Sequence, residues 1–145
     1  MEEIKQIELA LDDSFPTVNS YLIIGEELSL VDCGHGKDPN WESCQSAIKT
    51  YGYELSDISS IFLTHHHTDH IGLLPKILEQ TTAKVFAPIE TKVYLENFDG
   101  RMQAHMEFQQ QLLRETAIPA AVLDAIAAFM NQAREFMNDL HLPED

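Results

Sequence analysis

The feature that most constrains this chain is a dense group of metal-binding residue types between Thr64 and Gly72. Within six positions it holds four side chains that commonly bind metals, namely His65, His67, Asp69 and His70. Imidazole nitrogen and carboxylate oxygen suit Zn²⁺, and they also suit Fe or Mn. The run directly follows an apolar segment that is predicted to be a buried strand. The sequence therefore predicts a metal site where a strand ends and a loop begins.

The spacing of these residues allows them to bind two ions. In an extended segment, side chains two positions apart project to the same side, so His65 and His67 can chelate one ion together. The chain then turns, and the adjacent Asp69 and His70 can face a second ion. Two ions about 3.5–4 Å apart can hold a bridging hydroxide that attacks a carbonyl or phosphoryl group. Gly72 would let the backbone pass close to this site.

The run resembles the His-x-His-x-Asp-His motif of the metallo-β-lactamase superfamily. Upstream, Asn19–Ile24 is similar to the second strand of that family, and Leu30–Gly34 is similar to its apolar-Asp-x-Gly stretch. The resemblance covers residues 1–87 and implies an α/β fold. The expected fold is the N-terminal half of a metallo-β-lactamase αβ/βα sandwich, followed by an α-helical segment.

The resemblance also implies a role for each residue of the site. His65 and His67 would bind the first metal, and Asp69 and His70 the second, with two zinc ions in the complete site. Asp69 would also be catalytic, since it would orient the attacking water. Asp32 would position a metal ligand by hydrogen bonding, although a helix or turn cap is the alternative.

Two other residues of the run have different expected roles. His66 lies between two ligands, so it is expected to point the opposite way and not to bind metal. Thr64 is expected to support the loop through hydrogen bonds, and a purely structural role explains it equally well.

The family completes its site with a histidine, a bridging aspartate and a final histidine, and nothing after residue 87 resembles those segments. The remaining histidines, His35, His105 and His141, are expected to be ordinary surface or core residues. The simplest account is that the 145 residues are a piece of a longer protein. Residues 1–87 would be the N-terminal half-domain with the metal motif, and residues 88–145 a helical insertion or lid-like segment. Apolar side chains of that segment could line a pocket, but packing between its helices explains them better.

Hydrophobic periodicity predicts strands, a helix, a strand, the metal motif, a helix, a strand and then helices only. Breaks in the helical part are expected at Asp99-Gly100 and Ile118-Pro119. The predicted strands are Ile4–Leu11, Asn19–Ile24, Leu28–Val31, a buried strand ending near Thr64, and Ala83–Ala87. The predicted helices are Pro39–Tyr51, Ile71–Gln80, Glu90–Phe98, Arg101–Thr116 and Pro119–Leu140.

The composition of the chain argues against some classes of binding partner. The formal charge is −15 with only nine Lys and Arg residues, which argues against binding to nucleic acid. No apolar run approaches the ~20 residues that span a bilayer, and no secretory signal is visible, so no membrane association and a cytoplasmic location are expected. Cys33 and Cys44 are too few for a disulfide scaffold and are expected to be small buried residues.

Half a sandwich would expose an apolar sheet face. The helical segment could cover this face, or two chains could form a homodimer through it.

The leading hypothesis is a metal-dependent hydrolase of a small-molecule ester, thioester, lactone or amide, truncated here before its remaining ligands. His67 argues against the flavin-linked di-iron branch of the family, which typically has a carboxylate at that point. The first alternative is a metal-binding, non-catalytic half-domain that self-associates. The second is a helical interaction protein with an incidental histidine loop.

Overall fold

The computed structural model describes residues 3–10, 17–115, 119 and 121–128 of the chain. The contacts divide the chain into two compact units between Lys92 and Val93. The sequence pattern places a boundary at residues 87/88 between the half-domain and the helical segment, and that division stays a prediction. The two units are described separately below.

The first unit is built on a five-stranded mixed sheet whose strand order follows the chain order. The strands are β1 (Glu3–Ala10), β2 (Thr17–Ile24), β3 (Leu28–Val31), β4 (Ile58–Phe62) and β5 (Lys84–Phe86). β1, β2 and β3 pair antiparallel, and the predicted hairpin of β2 and β3 turns through Gly25–Glu27. β3, β4 and β5 pair parallel, which places the ends of β3 and β4 at the same edge of the sheet.

Parallel strands require a crossover connection, and helices supply it here. Helix α1 (Asp38–Thr50) and a 3₁₀ turn (Leu55–Asp57) connect β3 to β4. Two short helices, α2 (Thr68–Ile71) and α3 (Leu74–Leu78), connect β4 to β5. The prediction of one helix over Ile71–Gln80 was therefore wrong.

The helix is interrupted because a tertiary hydrogen bond competes with it. The backbone N–H of Leu73 donates to the carbonyl of Gly34 at 3.2 Å instead of continuing α2. Pro75 follows in the first turn of α3, where its missing N–H costs nothing but where it disfavours helical geometry in the preceding residue.

One face of the sheet forms the core. The alternating residues Ile7 and Leu9 of β1, Leu22 of β2, Leu30 of β3 and Ile61 of β4 are almost completely buried. Further buried side chains come from the helices of this unit: Cys44, Ile48, Ile71, Leu74 and Ile77. Each large side chain in such a core contributes about 1.5–3 kcal/mol to folding.

Both cysteines are buried and free, as expected. Burial raises the pKa of the Cys44 thiol to about 12 and raises that of Cys33 well above its ordinary value. Because the thiolate is the reactive form, both side chains should be inert in the folded protein.

We predict that neither thiol reacts with Ellman's reagent at about pH 8, since both the pKa shift and the lack of access prevent it. Both thiols should react after denaturation in guanidinium. Stoichiometric reaction of either thiol in the native protein would contradict the buried placement of that cysteine.

The opposite face of the sheet is mixed, and one row of apolar side chains on it is partly exposed among the residues described. Tyr21, Val31, Phe62 and Phe86 form one row across β2 to β5. Phe62 and Phe86 stack with their ring centroids 5.0 Å apart, and 41% and 46% of their surfaces remain exposed. Aromatic rings exposed in a contiguous row are typical of an interaction surface.

The second unit is helical where it is described. Helix α4 (Ile89–Glu96) spans the division between the units, and α5 (Phe98–Arg114) follows it. Residues 121–128 are also helical, and the rest of the predicted helix Pro119–Leu140 lies outside the described residues. Within the described ranges, no helix is both long and apolar enough to cross a membrane.

The predicted break at Asp99-Gly100 was wrong, because α5 begins at Phe98 and runs through it. The interruption falls at Asn97, whose backbone is not helical. Gly100 lies in the first turn of α5, where a glycine costs about 1 kcal/mol relative to alanine but does not end a helix.

The homodimer predicted from the sequence can be tested on the open sheet face. If two chains pair through it, the double variant Phe62→Ser/Phe86→Ser should shift the protein from dimer to monomer in light scattering coupled to size exclusion, because it removes the stacked aromatic pair. Phe108→Ser is the matched control, since Phe108 is 62% exposed on α5. A wild-type chain that is monomeric at all concentrations would contradict the prediction.

Candidate metal centre

The candidate site lies where the loops after β3 and β4 meet at one edge of the sheet. The parallel pairing of these strands continues past their ends, because the backbone N–H of Asp32 donates to the carbonyl of Phe62 at 2.9 Å. The loop after β3 carries Asp32, and the loop after β4 carries the histidine run into α2. Strand order therefore places residues 32 and 64–70 side by side.

Backbone contacts lock the two loops together. The N–H of Cys33 donates to the carbonyl of His70 at 2.6 Å, and the Leu73–Gly34 bond follows one turn later. Gly72 lies at the point of closest approach, where a Cβ would overlap the backbone nitrogen of Gly36 and the carbonyl oxygen of Thr68. The predicted close passage of the backbone at Gly72 is therefore present.

Asp32 is the buried charged residue at the centre of this junction. Only 4% of its surface is exposed, and its backbone adopts a left-handed conformation, with φ of 55°. Its carboxylate accepts hydrogen bonds from the Thr64 N–H at 2.8 Å and the Thr64 hydroxyl at 2.7 Å, and it contacts His70 Nδ1 at 2.8 Å. These partners lie more than thirty residues away, so the carboxylate bridges two loops and does not cap its own turn.

The four predicted ligands lie next to one another. The ring centroid of His65 is 4.1 Å from that of His70 and 4.5 Å from that of His67. His70 Nε2 lies 3.6 Å from an Asp69 carboxylate oxygen. His67 is exposed, while Asp69 and His70 are partly buried.

Burial lowers the pKa of His65, and the adjacent His70 and His67 lower it further. A histidine binds a metal through its neutral imidazole, so this direction favours the form that can act as a ligand.

The donor chemistry fits zinc, and the arrangement fits it in part. Imidazoles and a carboxylate are ordinary zinc ligands. In the part of the chain that the structure describes, however, no three His, Cys, Asp or Glu side chains are placed to hold a single ion.

The other histidines differ in their surroundings. His66 is half-buried, and its ring lies beside that of His67, with centroids 5.4 Å apart. His35 is in the loop after β3 and donates its backbone N–H to the side chain of Asn40. His105 is exposed on α5, and His141 lies outside the described residues.

Asn40 is a supporting residue whose role the sequence did not reveal. Lys37 is the N-cap of α1, and Asn40 follows in the first turn with its side chain almost completely buried. Its amide donates to the carbonyl of Ala10 and accepts from the His35 N–H at 3.1 Å. It thereby joins the end of β1 to the loop that carries Asp32. An asparagine in the first turn of a helix was the available signal, but local capping explains that signal equally well.

Residues 14–140 match the metallo-beta-lactamase superfamily as a sequence family. The chain belongs to this superfamily. The match extends well past residue 87, where the resemblance seen in the motifs stopped, so the helical segment also lies within the region that the family covers.

Three relatives illustrate how the chain relates to known proteins. It is 29% identical over 118 residues to the probable metallo-hydrolase YqjP of Bacillus subtilis, which covers 81% of this chain and 36% of that protein. It is 35% identical over 88 residues to the metallo-beta-lactamase fold-containing protein ST1585 of Sulfurisphaera tokodaii, covering 59% of this chain and 30% of that protein. A hydroxyacylglutathione hydrolase of Xylella fastidiosa is 50% identical over 38 residues, or 26% of this chain and 15% of that protein.

Solved structures show the same fold. The metallo-beta-lactamase family protein TTHA1429 of Thermus thermophilus superposes with a TM-score of 0.62 at 26% identity, over 70% of this chain and 35% of that one. The predicted fold class, the N-terminal part of the metallo-β-lactamase α/β fold, is therefore confirmed. The chain spans about a third of the length of these first relatives.

Gly72 offers a test of the junction between the loops. Gly72→Ala should destabilise the protein by about 1–3 kcal/mol in urea unfolding, because the methyl group overlaps backbone atoms that cannot rotate away. The variant should also shift the imidazole NMR signals of His65 and His70, since their loop must move.

Gly52→Ala is the control for this variant. Gly52 has a φ of +88° and open space around it, so alanine there should cost about 1–2 kcal/mol through backbone strain alone. The histidine signals should not change. Equal histidine shifts in both variants, or none in Gly72→Ala, would contradict the close contact at Gly72.

Proposed function

We propose that this chain forms part of the active site of a metal-dependent hydrolase that acts on a small-molecule ester, thioester, lactone or amide. The observation that carries the proposal is the convergence of His65, His67, Asp69 and His70 at the edge where β3 and β4 end, in a chain of the metallo-β-lactamase superfamily. Relatives named as metallo-hydrolases and as a hydroxyacylglutathione hydrolase support this reaction class.

In the proposed site, His65 and His67 hold one zinc ion, and Asp69 and His70 hold a second. Zinc in such a site activates water and polarises the scissile bond. Asp32 accepts a hydrogen bond from Nδ1 of His70, which fixes the ring and leaves Nε2 for metal binding. Asp69 is placed beside His70, and its partly exposed carboxylate can accept a hydrogen bond from water and thereby orient the water molecule.

Each ion needs further ligands, and we propose that they come from outside the 145 residues. The coverage of about a third of the relatives' length is consistent with this proposal. The net charge of −15 supports a small-molecule substrate over a nucleic acid. A cytoplasmic location stays a prediction.

The second candidate is a metal-binding half-domain without turnover, which self-associates. It is favoured by one observation, namely that no three side chains within the described ranges are placed to hold one ion. The two candidates differ in hydrolysis and agree on metal binding, so both must be measured.

The test uses the whole chain, dialysed against zinc and analysed by mass spectrometry for metal content. We expect zinc to bind and His67→Ala to lower the zinc content, because the variant removes one of the two proposed ligands of the first ion and leaves those of the second; His67 is exposed, so its loss does not open the core. His105→Ala is the matched control, since His105 is an exposed histidine on α5. Equal zinc content in both variants would contradict the ligand assignment.

Hydrolysis is then assayed with a p-nitrophenyl ester and an acyl-glutathione thioester. Turnover that is lost with chelator and with His67→Ala supports the hydrolase. Zinc binding with no turnover from a folded chain supports the half-domain for the isolated chain. It is also the result expected of a hydrolase whose remaining ligands lie outside the 145 residues, so only turnover separates the two candidates.

A further inference from the structure

Thr64 contacts two residues of the site at once. Its hydroxyl oxygen lies 2.7 Å from Asp32 Oδ2 and 2.9 Å from His65 Nδ1. Its backbone N–H separately donates to Asp32 Oδ1 at 2.8 Å. The Thr64 hydroxyl therefore bridges the buried carboxylate of Asp32 and the ring of His65.

The direction of these hydrogen bonds follows from a count of protons. A carboxylate only accepts hydrogen bonds, so the single proton of the Thr64 hydroxyl must point to Asp32. The hydroxyl oxygen then has only lone pairs for His65, and His65 must donate from Nδ1. The same argument requires His70 to donate its Nδ1 proton to Asp32.

We infer that Thr64 is a positioning residue: because the Asp32 carboxylate takes the proton of the Thr64 hydroxyl in a hydrogen bond, the hydroxyl sets the tautomer of His65. One buried carboxylate thereby sets the tautomer of two histidines, His70 directly and His65 through the Thr64 hydroxyl. Both rings carry hydrogen on Nδ1 and keep the Nε2 lone pair for an ion. The inference rests on the proposed function in taking the two histidines as ligands of two different ions.

A structural role for Thr64 alone predicts something different. The backbone N–H already ties Thr64 to Asp32, and this bond survives any substitution other than proline. Thr64→Val keeps the N–H and nearly the same shape but removes the hydroxyl, whereas Thr64→Ser keeps the hydroxyl. The two variants therefore separate support of the loop from control of the His65 tautomer.

The first experiment records ¹⁵N–¹H correlations of the histidine rings in the metal-free chain, at a pH where the rings are neutral. In the wild type, His65 and His70 should both be protonated at Nδ1. In Thr64→Val, His65 should shift toward the Nε2-protonated form while His70 is unchanged, and Thr64→Ser should restore the wild-type pattern. A wild-type His65 protonated at Nε2 would overturn the inference without any variant, as would an unchanged His65 in Thr64→Val.

The second experiment measures zinc affinity by competition with a chromophoric chelator. Thr64→Val should weaken binding about 10-fold, within the range found when outer partners of metal-binding histidines are removed, and Thr64→Ser should restore it. Equal weakening in both variants would assign Thr64 a structural role and overturn the inference. Failure of the proposed function is distinguishable, since the ring tautomers are measured without metal or substrate.

Discussion

A carboxylate removed from water at the edge of a sheet must be surrounded by hydrogen-bond donors, since an unpaired buried charge costs several kcal/mol. Asp32 meets this requirement with donors from another loop, the Thr64 N–H, the Thr64 hydroxyl and His70 Nδ1. The geometry of the candidate site depends on this one requirement. These donors lie directly after β4 and in α2, on either side of the histidine run. Burial of Asp32 with its hydrogen bonds therefore also places the histidine run beside it.

Much of this arrangement was predictable because it is local. Imperfect alternation in the first strand and short apolar runs in the others predicted all five strands, and the His-x-His-x-Asp-His spacing predicted which side chains would meet. The family resemblance implied only that Asp32 would position a metal ligand, and it did not say which one. No spacing rule connects Asp32 with His70, since the two residues are 38 positions apart. The interruption between α2 and α3 was missed for a related reason. The segment Ile71–Gln80 has helical periodicity, but the Leu73 N–H within it donates to Gly34 of a distant loop, and a tertiary bond of this kind leaves no local pattern.

The open sheet face and the proposed metal ligands lie next to each other at the end of β4. Along β4, Phe62 points to the open face, while the chain immediately beyond it enters the metal run. In the proposed enzyme, whatever supplies the missing ligands must reach this same edge, and an element that packs on the aromatic row would be well placed to do so. Self-association and completion of the site are therefore related questions, and a dimer that binds more zinc than the monomer would connect them.

The four proposed ligands differ in how far they are organised before any metal arrives. His70 is held by Asp32 and His65 by Thr64, both through short hydrogen bonds. His67 is exposed, and about one-third of the Asp69 side chain is accessible. Ordering an exposed side chain costs conformational entropy, whereas a ring already fixed by its neighbours has lost that entropy during folding. Each proposed ion would thus meet one prearranged histidine and one ligand that must still be ordered. The prearranged histidine limits where the ion can sit, and the other ligand limits how tightly the ion is held.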